Sequence, residues 1–502
     1  MQIKLIPDSP TKSICSDATD VPASPTQREY DYWFQRCTLM DRGWSPPKMA
    51  HNKWRRFSYI PVSIICVLLL LIVLMPVLDQ ATERALQRLN YQRKCDSPGY
   101  LVETIPEGLV FNDTNVKNFD TFWTWMDLIN NAEKSIEIAS LYWTLRGSDV
   151  NSTDPSDFKG EKLLKALQQK GKKGVKIRIA QNEENSDTKW LMHEAAAEVR
   201  TVNFTRLLGG GVLHTKMIIV DKLYVYIGSA NMDWRSLAQV KEMGIVVYGC
   251  SCLATDALKI FEAYWTLGLN DSAIPVPWPD NYSTSFNAET PIELSMSRFY
   301  NSKVFKTFLS SSPPPFNGKG RTNDIDALVG VIQQAEKFVH IAVMDYIPLM
   351  IYTPKRIYWP VIDDALKSAA IDRKVSVKLL ISKWNHSRTQ EDEFLRSLAI
   401  LDNVYKGVSI EVRRFIVPSN SSEDLIPFAR VNHNKYMVTD KTAFIGTSNW
   451  AGDYFTDTAG VSFVMHDPEE DGEEIDYPTI RAQLESVFQR DWNSQYAHPF
   501  IF

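Results

Sequence analysis

Apolar and polar positions in this chain keep two periods in turn, and their succession predicts the architecture. AEKSIEIASLYW from Ala132 and AEKFVHIAVMDY from Ala335 each read as a helix end followed by a buried apolar strand. GVKIRIA from Gly174 matches KVSVKLL from Lys374, and EVRTVNF from Glu198 matches EVRRFIV from Glu411. These pairs lead to LHTKMIIVDKLYVYIGSAN from Leu213 and NHNKYMVTDKTAFIGTSN from Asn432. One pattern is therefore written twice, and strands alternating with amphipathic helix-length segments predict an α/β class built as two tandem repeated half-domains.

A third pattern stands apart. Phe57–Leu78 carries no charge, and its 22 residues would span about 33 Å as a helix, enough for a hydrocarbon core of about 30 Å. Lys53, Arg55 and Arg56 precede it and Asp79 follows, so the expected topology is a single-pass type II signal anchor. A preceding stretch of 56 residues is too long for the basic start of an ordinary cleaved signal. The expected organisation is a disordered cytoplasmic tail (1–56), the anchor (57–78) and a lumenal stem (79–100). A first half-domain (101–285), a linker rich in Pro, Ser and Gly (286–320) and a second half-domain (321–502) follow. Asn-x-Ser/Thr glycosylation acceptors begin at Asn112, Asn151, Asn203, Asn270, Asn281, Asn385 and Asn420, all on the lumenal side. HDPEEDGEEIDYP from His466 reads as a solvated acidic loop.

Composition changes this picture little. With 44% hydrophobic and 23% charged residues the chain is globular. The net charge of −5 divides into +3 before the apolar segment and −8 after it, which excludes a broad basic surface for long nucleic acid. Three cysteines follow the anchor: Cys95, Cys250 and Cys252. Cys95 can bridge to either of the others, which leaves one thiol over, and no His/Cys cluster surrounds them to make a metal site.

The repeated unit carries the chemistry. It reads His-x-Lys, four residues, Asp, then Gly-Ser/Thr-x-Asn after a short gap. The first copy uses His214, Lys216, Asp221, Gly228, Ser229 and Asn231; the second uses His433, Lys435, Asp440, Gly446, Thr447 and Asn449. In a strand, His and Lys two apart share a face. The glycine permits a turn that brings a hydroxyl and a carboxamide back toward the same spot. Among only eight histidines, two complete copies are not coincidence.

The paired motif resembles the phospholipase D superfamily, and the wider text resembles its endolysosomal 5′→3′ exonucleases. IASLYWTL from Ile138, GVLHTKMIIVD from Gly211, GSANMDWRSLAQVKE from Gly228 and CSCLATDALKIFEAYW from Cys250 carry the likeness. PFARVNHNKYMVTD from Pro427 and GTSNWAGDYFTDTAG from Gly446 extend it. The resemblance implies one active site at the interface of the halves and a phosphodiesterase that works without metal or cofactor. Two lysines can neutralise developing charge while one imidazole attacks phosphorus and the other protonates the departing oxygen. By that analogy His214 is the nucleophile and His433 the acid/base, although the motifs themselves are symmetric.

Asn231, Asn449, Ser229 and Thr447 are expected to bind substrate, and Glu242 and Asp457 to orient the histidines. Asp221 and Asp440 complete the catalytic motif, with the fixing of a turn as their expected task. The resemblance implies that the substrate is single-stranded DNA or RNA cut from the 5′ end to nucleoside 3′-monophosphates; the alternative is a phospholipase D or transphosphatidylase acting on phosphatidylcholine or phosphatidylglycerol. The relatives imply a homodimer and a route from endoplasmic reticulum to lysosome. They also carry a second cysteine before the first half that is missing here. Tyr142, Trp143, Tyr346, Trp384 and Phe455 lie near the motif strands in sequence, as base-stacking candidates or as core.

Overall fold

The computed structural model describes residues 63–70, 74–75, 94–111, 116–300, 303–353, 355–468 and 477–500. The expected tail, most of the expected anchor, Asn112 and most of the acidic loop lie outside the described residues. Two units are distinguished, Met1–Thr82 and Glu83–Phe502. In the first, residues 63–70 and 74–75 are helical and exposed. No helix among the described residues is long and apolar enough to cross a membrane.

The second unit is a mixed α/β structure built on two large sheets. Its strands are β1 (Lys94–Asp96), β2 (Gly99–Thr104), β3 (Phe119–Asp120), β4 (Ser135–Ser140), β5 (Lys176–Gln181) and β6 (Glu198–Thr201). Next come β7 (Met217–Val220), β8 (Tyr224–Gly228), β9 (Glu242–Val247), β10 (Ile292–Ser295), β11 (Val304–Ser312) and β12 (Phe338–Val343). The last are β13 (Ser376–Ser382), β14 (Ile410–Phe415), β15 (Lys435–Thr439), β16 (Thr442–Gly446), β17 (Gly460–His466) and β18 (Ala497–Pro499). One sheet runs β3-β2-β9-β8-β7-β4-β5-β6 and the other β1-β10-β11-β17-β16-β15-β12-β13-β14-β18. The stretch β9-β8-β7-β4-β5-β6 has the same internal order as β17-β16-β15-β12-β13-β14.

Period-two patterning sends alternate side chains to different cores. Met217 and Ile219 join Ala139 in a cluster between the sheets. Ile218 and Val220 turn with Ile136 and Ile138 to the outer face, under helices Thr121–Asn131 and Phe158–Lys172. In the second sheet Ala443 and Ile445 face the middle while Phe444 faces the outer helices Asp324–Gln334 and Val361–Asp372. With both faces covered, the central strands read as continuous apolar runs. Helices Ser251–Leu267 and Ile480–Trp492 supply Phe261, Tyr264, Leu484 and Phe488 to the middle cluster.

The segment 286–320, expected as a linker, instead contributes β10 and β11 to the second sheet. Its serines mislead because they are polar yet buried: Ser310 Oγ donates to Asp324, and Ser312 Oγ donates to the carbonyls of Tyr454 and Thr458. The two sheets are also joined by charge. Lys241, fully buried, lies 2.9 Å from both Glu103 and Asp491, and Arg490 closes the network on the same two acids. A buried network of this kind destabilises strongly if one member is removed. It fixes the strand that leads into Glu242. Cys95 is bonded to Cys250, which leaves Cys252 as a half-buried thiol.

Candidate active site

The two His-x-Lys segments are not inside the regular strands, as their spacing predicts, but in the extended chain that leads into them. β7 starts at Met217, after Lys216, and β15 starts at Lys435. Each lead-in is pinned by the opposite half. His214 N–H donates to the Ala459 carbonyl at 2.9 Å, and His433 N–H donates to the Lys241 carbonyl at 2.8 Å. Isolated bridges Leu213–Ala459 and Lys241–Asn432 continue this crossing. Each lysine then folds back under its histidine: Lys216 Nζ donates to His214 O at 2.6 Å and Lys435 Nζ to His433 O at 2.7 Å. Both histidines and both asparagines, Asn231 and Asn449, line one cavity of 620 Å³.

The pairing of the ring nitrogens is unequal. Nδ1 of His433 lies 2.9 Å from Glu242 Oε2, whereas Nδ1 of His214 lies 2.8 Å from the carbonyl of Thr447. A carboxylate and a carbonyl can only accept, so Nδ1 carries the proton in each ring and Nε2 is left for chemistry. Glu242, expected to orient a histidine, pairs with the one in the other copy, His433. Asp457, expected as the second orienting acid, does not pair with His214. By strand register the counterpart of Glu242 is Gly460, since Gly244 faces Gly228 and Ser462 faces Gly446. A Cβ on Gly460 would stand 2.2 Å from Ser448 Oγ, so no carboxylate fits there.

One further expectation is corrected, and the turn-fixing task expected of Asp221 and Asp440 agrees with their hydrogen bonds. Ser229 and Thr447 are fully buried and serve the protein rather than substrate. Ser229 Oγ donates to Glu242 at 2.5 Å and accepts from Met243 N–H, while Thr447 Oγ1 accepts from Val461 N–H. Asp221 and Asp440 do not reach the cavity. Asp221 accepts from the N–H groups of Glu133, Lys134 and Ser135, and Asp440 from those of Glu336, Lys337 and Phe338. They hold the start of β4 and β12 against the turn that follows β7 and β15. Asp221→Ala should therefore lower the unfolding free energy by about 1–3 kcal/mol and leave turnover per folded molecule unchanged. Denaturant unfolding alongside active-site-normalised rates checks this; a large loss of turnover at unchanged stability would return Asp221 to the catalytic set.

Charge in the cavity is arranged for an anion. Burial pushes the Lys216 ammonium well below its ordinary pKa, and the neighbouring Lys435 adds to the effect. Burial likewise brings Lys435 down to about 7 against the pull of Glu242 and Asp345. His214 is driven well below 6.5 by burial and by both lysines. His433 is lowered by burial too, but Glu242 opposes the shift through charge and hydrogen bond. An arriving phosphodiester would offset the repulsion among these four groups and favour their charged forms. Burial raises the Asp345 carboxyl above its ordinary value against the pull of Lys435, Arg388 and Arg414.

Several lining residues carry no motif signal. Asn231 Nδ2 donates to the Tyr142 hydroxyl at 3.3 Å, and Asn449 Nδ2 donates to Asp345 at 2.9 Å. Tyr142 and Asp345 occupy matching places after β4 and β12, a correspondence visible in the repeat. Tyr142 donates in turn to Asp233, which Arg235 clamps through Nε. Tyr454 sets its ring edge-on to His214 at 5.0 Å. Of the expected aromatics, Tyr142 and Trp384 line the cavity, while Trp143, Tyr346 and Phe455 are core.

Comparison with known proteins identifies the relatives of this chain. The family model described as "PLD3/4, PLD-like domain" matches residues 113–420. A Xenopus laevis protein named 5′-3′ exonuclease PLD3 is 44% identical over 463 residues, covering 90% of this chain and 92% of that one. The Homo sapiens protein of the same name is 45% identical over 403 residues, covering 79% and 80%. Among solved structures, the phosphatidylserine synthase of Haemophilus influenzae aligns at a TM-score of 0.49 and 13% identity, covering 75% of this chain and 84% of that one. With its family model and its long, closely similar relatives, this chain belongs to the PLD3/4 family of phospholipase-D-like proteins.

Proposed function

We propose that this chain is a phosphodiesterase acting as a 5′→3′ exonuclease on single-stranded DNA or RNA, through a phosphohistidine and without metal. The observation that carries the mechanism is the unequal pairing of the two histidines. His214, held by a carbonyl and depressed by burial and both lysines, is the ring whose neutral form, with its Nε2 lone pair free, is favoured. His433, backed by the Glu242 carboxylate, is the ring whose protonated form is supported. In the first step Nε2 of His214 bonds to phosphorus as the bond to the departing 5′-oxygen breaks, and His433 gives that oxygen its proton. In the second step His433 takes a proton from water, the new hydroxide bonds to phosphorus, and the phosphorus–His214 bond breaks to release a nucleoside 3′-monophosphate. Lys216, Lys435 and the two asparagine amides stabilise the charge on the nonbridging oxygens.

The same proposal covers organisation. The matching strand orders, with the halves exchanging backbone bonds across the site, support a duplicated unit with one active site between its copies. The uncharged run 57–78 and its flanking charges support a type II anchor with the catalytic unit in the endoplasmic reticulum–Golgi–lysosome lumen. Asn151, Asn203, Asn270, Asn281, Asn385 and Asn420 are exposed, which suits glycosylation there. A homodimer belongs to the same proposal and rests on the relatives alone.

The test uses the full chain in detergent at pH 5 with EDTA, a 5′-hydroxyl oligodeoxynucleotide, and phosphatidylglycerol vesicles in parallel. Stepwise shortening from the 5′ end, surviving EDTA, is the expected result. Phosphatidyl release without shortening would replace the nuclease reading by a lipid one, and loss of activity in EDTA would overturn the metal-free mechanism.

A further inference from the structure

We propose that Trp384, His386 and Phe428 form a stacking platform for one unpaired nucleobase beside the scissile phosphate; this rests on the exonuclease reading above. The three rings line the same cavity as His214 and His433. His386 and Phe428 lie nearly parallel, with centroids 4.6 Å apart and 21° between planes. Trp384 closes the cluster edge-on, 4.7 Å from His386 and 6.4 Å from Phe428. Phe428 keeps 60% of its surface exposed, so one flat face is offered to the cavity mouth without burial to stabilise it.

The backbone shows that this exposure is built rather than incidental. Phe428 has φ +54° and Arg430 φ +53°, a left-handed region that side chains other than glycine enter at a cost. The strained loop is tied on both sides. The Arg235 guanidinium donates to the Pro427 carbonyl, and the Arg430 guanidinium donates to the carbonyls of Pro418 and Glu107. A strained loop that is anchored to the first half and carries an exposed aromatic ring beside the catalytic histidines has the character of a functional surface.

The platform is also one-sided. The strand registers align Trp384 and His386 with Glu184 and Ser186 of the first half, and Phe428 stands as far before His433 as Gly209 does before His214. The stacked cluster therefore belongs to the His433 side alone, while the single rings of Tyr142 and Tyr454 stand by Asn231 and His214. The rest of the lining is mixed, with Asp233, Arg235, Asp345 and Arg388 beside Leu141, Val240, Met344 and Val431. A flat apolar ring with polar edges fits such a setting. Stacking on aromatic rings is tolerant of base identity, so the platform would hold an end of any sequence.

The experiment compares a 5′-hydroxyl oligodeoxynucleotide with copies carrying one abasic residue at either the first or the second position. Wild-type full chain should lose on the order of 10- to 100-fold in kcat/KM at one of these positions. Phe428→Ala should raise KM for the intact oligonucleotide by a similar factor with kcat little changed, and should no longer distinguish the abasic copy. Phe428→Leu, which keeps apolar bulk but lacks the flat face, should behave as Phe428→Ala does while melting like wild type. The platform is overturned if wild type cleaves intact and abasic strands alike, or if both variants keep the wild-type KM. If wild type shortens no strand at all, the exonuclease reading itself has failed, a result distinguishable from the other two.

Discussion

His433→Ala is expected to release one equivalent of nitrophenolate from thymidine 3′-(4-nitrophenyl phosphate) and then stall, while His214→Ala releases none. A nitrophenolate departs without protonation, so the first step survives loss of the acid. The second step does not, because no base remains to take the proton from water. On an oligonucleotide, whose departing alkoxide needs the proton, His433→Ala should lose about 10²–10⁴-fold. His214→Ala should lose on the order of 10⁴-fold or more on either substrate, since no bond to phosphorus can form. The stalled variant should carry an acid-labile phosphoryl group on the peptide containing His214, detectable by mass spectrometry. A burst from His214→Ala and silence from His433→Ala would reverse the assignment.

What made that assignment possible was not legible in the chain. The His-x-Lys motif is local, and its two copies announce a paired site by spacing alone. The partners of the histidines are not local. Glu242 sits soon after Asn231, and the sequence does not say which histidine it serves; the structure pairs it with His433 because each histidine lead-in bonds to the strand that follows the other copy's Asn. Asp457 was the natural mirror of Glu242 by sequence, yet the position in register is Gly460, and Asp457 falls just after the short helix Asp453–Thr456.

The same limit hides the platform. Phe428 precedes its motif in a loop whose strained backbone no composition reveals, and Trp384 and His386 follow a strand whose first-half counterpart leads to polar residues. The alternating strands, by contrast, were readable because burial on two faces writes itself into every second residue. The supposed linker 286–320 shows the converse error. Buried serines that satisfy each other's neighbours look like a loop until their hydrogen bonds are known.

Glu242→Gln should lower turnover on an oligonucleotide by about 10²–10⁴-fold, the range seen when the acid behind a catalytic imidazole becomes an amide. It should also move the pH profile. Burial pushes the Glu242 carboxyl up, but the charge and hydrogen bond of His433, with Lys435 and Ser229, outweigh it and hold the carboxyl below its ordinary value. Its ionised form is thus favoured. Its contribution to stability is present above the unfolded carboxyl value of about 4.3 and is lost as pH falls through the lower folded value. Activity requires protonated His433, so the upper limb of the profile follows the pKa of that ring. Removing the opposing carboxylate lets burial and the two lysines lower that pKa further, and the upper limb must shift toward acid. A substitution that merely loosened the site would depress activity at every pH and leave the limb in place. The pH dependence of kcat/KM for wild type and Glu242→Gln separates the two, and an unmoved limb would mean that Glu242 positions the ring without supporting its charge.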